Sequence, residues 1–265
     1  MSMPVTMPVA DEERHWDGLL VQPHPDDIAL SCGGRVARRV ANGERLVMVT
    51  VFSGSPGNAV ALTEIARRLH VIWGEVDPDR AWAMRRAEDA EAARLLGVTA
   101  KSLGHLDALY RGYCTLGAEL HPEDRALQAA IAESIIDDWR LTRGPVDLPL
   151  AIGRHPDHRL VFEIGARLAG EGAAVTFYED FPYVMIEGEL ERRLAELPPM
   201  IAELTDVTDV LDARVRAISA YSSQLRSLSR ADGMFRGPYD ESVRRHAARL
   251  GGEAGRYYER TWRLA

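Results

Sequence analysis

Along the chain, short unbroken apolar runs alternate with longer stretches in which apolar residues recur every three or four positions. The runs at 19–21, 46–52, 100–106, 148–152, 175–178 and 201–207 read as strands. The uninterrupted, β-branched 46–52 run suits a strand buried on both faces, as in a parallel sheet. Helical spacing follows at 28–40, 78–96, 123–139, 160–168 and 210–225. The 78–96 stretch has explicit ends: Asp77 as cap, Pro78 in the first turn and Gly97 as the stop. Strands alternating with helices imply right-handed crossovers. The expected fold is therefore α/β, a Rossmann-like doubly wound, mainly parallel sheet with helices on both faces.

From residue 173 the texture changes, and 173–265 reads as a C-terminal cap on the substrate side, with the polar 229–237 loop as a lid. The whole of 17–265 reads as one domain behind a disordered tail at 1–16. That tail carries prolines and acids and has no secretory pattern. A chain of 265 residues can bury a sizeable core without staples.

Charge and cysteine content narrow the classes. A net charge of −8 argues against nucleic acid as a partner. No run is long enough to span a bilayer. With only Cys32 and Cys114, neither a disulfide framework nor a cysteine-based zinc site is indicated, and a cytoplasmic location fits. No Gly-x-Gly-x-x-Gly follows the first strand, which speaks against a dinucleotide site. The expected partner is a small molecule, with a homo-oligomer left open.

Two loops carry the chemistry. The first strand runs into His24-Pro25-Asp26-Asp27 and then a helix, and the 148–152 strand runs into His155-Pro156-Asp157-His158 and another helix. Strand ends of this kind are where open α/β sheets collect their active-site residues. His24 and Asp27 can bite one metal ion, and His158 supplies a third ligand. Two histidines, one carboxylate and an open position is the ligand count of a catalytic zinc site. The same count also serves iron(II) oxygenases, although those commonly use His-x-Asp on an all-β scaffold. A metal-stabilised sugar-binding module is the non-catalytic alternative, but it has no need of the extra acid Asp26. Ser53 to Asn58 is either a plain turn or a floor for substrate.

These motifs, with Gly33-Gly34, Arg85-x-x-Glu88 and Leu96-Gly97, resemble the PIG-L or LmbE-like family of zinc-dependent N-acetylglucosaminyl deacetylases over roughly residues 17–180. The resemblance implies hydrolysis of an N-acyl group from an amino sugar, with Zn2+ held by His24, Asp27 and His158. It makes Asp26 the proton carrier and His155 a donor to the oxyanion or the amine, with Asp157 holding a histidine's tautomer. Arg85 would contact the sugar, an N-acetylglucosaminide of a thiol precursor or a natural product. Apart from the resemblance, the aromatic and acidic 178–183 loop offers Glu179 and Asp180 as carboxylates suited to sugar hydroxyls. Some relatives carry a tyrosine two residues before His155. Here that position is Gly153, so its role is absent or passes elsewhere.

Overall fold

The computed structural model describes residues 16–265 apart from 58–59, 116, 231–233 and 236. The proposed tail at 1–16 lies outside this range except for Trp16, which bridges to Thr142. Seven strands form one sheet: β1 (Gly18–Gln22), β2 (Leu46–Thr50), β3 (Thr99–Ser102), β4 (Val146–Pro149), β5 (Val175–Tyr178), β6 (Met200–Asp206) and β7 (Tyr258–Leu264). Their order is β3-β2-β1-β4-β5-β7-β6. The first five are parallel, while β7 pairs antiparallel with both β5 and β6. Chain order reverses across β1 and β4, so the crevice beyond their carboxyl ends is the topological switch point.

Helices cover both faces. Against one lie α1 (Asp27–Ala41), α3 (Pro78–Leu96), α7 (Leu211–Ser219) and α9 (Tyr239–Gly251), around a core that includes Leu20, Ile28, Met48, Ile218 and Tyr221. Against the other lie α4 (Asp124–Arg140) and α5 (Pro156–Gly170), over Val21, Val49, Ile131, Leu148 and Phe177. Three further helices, α2 (Glu64–Trp73), α6 (Glu189–Ala195) and α8 (Ser222–Arg230), complete the described set.

Several boundaries differ from the sequence reading. The 210–225 pattern is two helices, because Tyr221 stands between α7 and α8 with its hydroxyl donating to Asp89 at 2.7 Å. The 100–106 run leaves the sheet at Ser102. The 148–152 run leaves it at Pro149, and Ala151 and Arg154 then take positive φ of 63° and 61° to turn the chain into α5. Gly54 is packed, not open: a Cβ there would meet the Gly104 carbonyl at 2.2 Å, so the 53–57 loop lies on its neighbouring loop. The proposed lid lies partly outside the described residues. Within it, Phe235 is buried against Phe181.

Helix α1 is broken at Cys32, whose φ of −139° leaves the helical region. A break frees N–H groups after it and carbonyls before it. Glu259 on β7 accepts from the Gly34 and Arg35 N–H groups at 2.9 and 2.6 Å, while Arg214 on α7 donates to the Leu30 carbonyl. Arg214 Nη1 and Glu259 Oε1 are themselves 3.0 Å apart and buried. Gly33-Gly34 lets this pair approach: a Cβ on Gly34 would lie 2.6 Å from Glu259 Oε1, and one on Gly33 3.1 Å from the Arg214 side chain.

Candidate active site

The loop after β1 is fastened at both ends by Gln22. Its Oε1 accepts from Ile28 N at 3.0 Å, and its Nε2 donates to Thr50 and Asp89, each at 2.8 Å. Helix α1 starts at Asp27. Asp26 precedes it with φ 114°, in the left-handed region, and makes no side-chain cap. For a non-glycine residue such a backbone costs about 1–3 kcal/mol and persists only where its surroundings enforce it. Burial, then the Asp27 charge, pushes the Asp26 carboxyl well above the usual carboxylate range, with Arg85 opposing and Asp89 adding to the shift.

Both histidine-bearing loops meet beyond the sheet. His24 Nδ1 is 3.2 Å from His158 Nε2 and 3.6 Å from Asp27 Oδ2, and His158 Nε2 is 3.5 Å from the same carboxylate oxygen. The far nitrogen of each ring faces an acid. His24 Nε2 lies 2.9 Å from Asp157 Oδ2, and His158 Nδ1 lies 2.6 Å from Asp180 Oδ1. Each acid is itself fixed: Asp157 by Arg111 and the Ala108 N–H, Asp180 by the Ile152 N–H. These contacts place the ring protons on the outer nitrogens, so two imidazole lone pairs and one carboxylate oxygen converge on a common point. Donors about 2.0–2.2 Å from a tetrahedral ion lie about 3.3–3.6 Å apart, and the observed triangle fits a divalent metal. His155 joins the group, with ring nitrogens of all three histidines within 4.8 Å.

Without metal, a proton is the alternative occupant of that triangle. Burial opposes charge on His158, yet Asp27 and then Asp180 raise its pKa to about 9. Against an unfolded value of about 6.5, this proton stabilises the metal-free fold below pH ~6.5, and the contribution is lost as pH rises through about 9. Metal must displace the same proton. Zinc affinity, measured against a competing chelator, is therefore expected to climb about tenfold per pH unit between pH 7 and 8. A flat profile over that unit would contradict this proton inventory.

His155 sits at the start of α5, where its Nδ1 accepts from the Asp157 N–H at 3.2 Å, which leaves the ring proton on Nε2. Burial, then His24, pushes its pKa well below the usual histidine range, so it is a neutral N–H donor. Arg85 is clamped between Trp73 and Trp82, with its guanidinium carbon 4.7 and 4.5 Å from the ring centroids. Its Nε is buried without a hydrogen-bond partner and its Nη1 is 4.0 Å from Asp107. His24, Asp26, Asp27, Arg85, Asp107, His155 and His158 all line one cavity of about 640 Å³.

Two expected sugar contacts are placed elsewhere. Glu179 turns away from this cavity, and its Oε1 accepts from Arg260 and from Trp262 Nε1 on β7. Asp180 stands behind His158 and orients it from the side away from the cavity. Glu88 is also spent on structure, accepting from the Ser222 hydroxyl and from both the N–H and hydroxyl of Ser223 at the start of α8. Sequence reasoning missed Trp73 and Asp89, which have no local motif, and assigned no role to Arg111, which holds Asp157. Asp107 both lines the site and caps a turn: its Oδ1 accepts from the Leu109 N–H and its Oδ2 lies 3.5 Å from His24 Nε2.

Residues 19–169 match the family described as PIG-L, GlcNAc-PI de-N-acetylase. The chain belongs to the PIG-L family. Its chemistry is accordingly hydrolysis of an N-acetyl amide at a metal-binding site. A 2'-N-acetylparomamine deacetylase of Streptomyces fradiae is 36% identical over 216 residues, covering 78% of this chain and 72% of the relative. The crystal structure of the A40926 pseudoaglycone deacetylase Dbv21 superimposes with a TM-score of 0.77 at 29% identity, covering 94% of this chain and 96% of that one. The zinc-inhibited form of the teicoplanin deacetylase Orf2 gives 0.78 at 27% identity, covering 92% and 96%. Among the described residues, no PIG-L helix here is long and apolar enough to cross a membrane.

Proposed function

We propose that the protein removes an N-acetyl group from an amino sugar carried on a larger molecule, using zinc held by His24, Asp27 and His158. The observation that carries this reading is the convergence of two histidine lone pairs and one carboxylate oxygen in a cavity that also contains a free acid, Asp26, and a clamped arginine. A zinc ion there supplies Lewis acidity toward the amide carbonyl and acidifies water.

The chain's own residues supply the rest. Asp26, buried beside the triangle, takes the proton of the attacking water at its carboxylate and returns it to the departing amine nitrogen. His155 Nε2–H donates to the oxyanion as the carbonyl carbon becomes tetrahedral. Its neutral state lets it donate without adding a repulsive cation beside the ion. Arg85 offers its unsatisfied N–H to a sugar hydroxyl, and a buried donor of that kind discriminates against ligands that leave it unpaired.

The missing tyrosine at Gly153 has a spatial substitute. A Cβ on Gly153 would meet the Tyr183 ring at 2.6 Å, so Tyr183 stands over the position that glycine leaves bare. Its ring centroid is 6.4 Å from that of His158, and burial raises its pKa and keeps the hydroxyl protonated as a donor.

The test is release of acetate and free amine by zinc-loaded protein from N-acetylglucosaminides, N-acetylated amino acids and acetyl-lysine peptides. Glycosides are expected to be the better substrates by at least about tenfold in kcat/KM, roughly what one or two net hydrogen bonds of about 1 kcal/mol each provide. Preference for peptides or amino acids would remove the sugar reading while sparing the amidohydrolase one.

A further inference from the structure

A second cavity of about 1120 Å³ adjoins the one at the metal triangle, and Pro182 and Tyr183 line both. None of the metal ligands lines it. Its volume suits a body of drug-like size, well beyond one acetamido sugar.

Its lining combines two chemistries. Met185, Ile186 and Met234 give adaptable apolar surface, with Ile186 46% exposed. Four arginines, Arg154, Arg192, Arg245 and Arg249, face only two lining acids, Glu187 and Glu189. Glu189 is already paired with Arg192. Arg154 Nε is buried without a hydrogen bond, its nearest carboxylate being Glu196 at 3.7 Å, and Arg245 reaches Glu241 only at 3.9 Å. This excess of positive charge stands out on a chain of net charge −8. His246 lies on the same wall, beside Arg245 and Arg249. Burial, then Arg214, Arg260 and Arg249, pushes its pKa down to about 3, although Glu179 Oε2 lies 3.9 Å away.

We infer that this second cavity receives the remainder of the substrate: an apolar or aromatic body bearing a carboxylate or similar anionic group, attached to the sugar whose acetamide lies at the metal triangle. The inference rests on the deacetylase reading and narrows it. An aglycone bearing ammonium groups would meet like charge at the arginines. An anionic one would satisfy guanidinium groups whose present partners are distant, and its body would cover the methionines.

The experiment uses three N-acetylglucosaminides of one biphenyl aglycone that differ only in the terminal group: carboxylate, carboxamide or aminomethyl. Binding to the metal-loaded protein is measured by calorimetry and acetate release is followed in parallel. The acid is expected to bind about tenfold more tightly than the amide, and the amine most weakly, as for one charge pair near a protein surface. The margin should shrink at about 0.5 M salt, and an Arg245→Glu, Arg249→Glu double variant should bind acid and amide alike. Equal binding of all three by the unaltered protein, or an acid preference that survives in the double variant, would overturn the assignment. If the acid preference holds but no glycoside releases acetate, the cavity assignment stands and the deacetylase reading falls. Acetate release from all three at equal affinity does the reverse.

Discussion

Replacing Asp26 by asparagine is expected to leave one metal ion bound per chain and to lower kcat by about 10² to 10⁴, the range for a lost general acid-base group. The metal should stay because the converging donors belong to His24, Asp27 and His158, none of which bonds to Asp26. The fold should also hold. Asp26 has φ 114°, and asparagine tolerates the left-handed region better than most residues, so the loop need not rearrange. What is lost is titration. Burial and Asp27 raise this carboxyl, placing its proton affinity nearer that of the groups between which it must shuttle. An asparagine accepts a hydrogen bond but carries no proton between water and amine. Metal content by elemental analysis and turnover of the best glycoside, both on the same preparation, check the expectation. A zinc-free Asp26→Asn protein, or a fully active one, would remove Asp26 from the role of proton carrier.

The contrast between Asp26 and its neighbours shows what could be read from the chain alone. The motif loops were legible because their information is local: a strand end, a proline that fixes the turn, and ligands within four residues. Helix α3 was legible for the same reason, its ends being written by Asp77, Pro78 and Gly97, and the observed bounds coincide with the reading. Glu179 and Asp180 were less tractable. Adjacent residues at a strand end point to opposite sides, and composition cannot say which one reaches His158 and which one turns to β7. Trp73 was invisible because α2 is a mostly exposed amphipathic helix, and its contact with Arg85 is between residues distant enough in the chain to leave no local pattern. Strand β7 was missed altogether. Its sequence, Tyr258-Glu-Arg-Thr-Trp-Arg-Leu264, carries three charged residues in seven. It pairs antiparallel in a sheet whose other signals are parallel runs, and its buried acid makes sense only once the break in α1 is known.

That acid carries the largest structural effect expected in the molecule. Replacing Glu259 by alanine should destabilise the metal-loaded protein by about 3–5 kcal/mol, the cost of breaking a buried ion pair from one side. A surface pair would matter far less, but Glu259 and Arg214 are 2% and 1% exposed. The loss has separate parts. Arg214 would keep its charge with no counter-ion, its remaining strong contact being the Leu30 carbonyl. The Gly34 and Arg35 N–H groups, freed by the break at Cys32, would lose their acceptor, and water could reach them only by opening the contact between α1 and β7. Glu259→Gln should be milder, since one amide oxygen can still accept from part of this set. If the pair acts as a unit, removing both charges together with Arg214→Met and Glu259→Leu should cost less than the sum of the two single changes, because neither partner is then stranded. Urea unfolding at fixed zinc concentration measures all five variants, the two single changes included, with fixed zinc needed because metal binding itself adds stability. A Glu259→Ala midpoint close to that of the unaltered protein would show that the break in α1 is held by packing around Cys32 and not by this carboxylate. Helix α1 begins at Asp27, the proposed metal ligand, and turns at Cys32. The direction of its first half, and with it the placement of Asp27, depends on which of these holds the break.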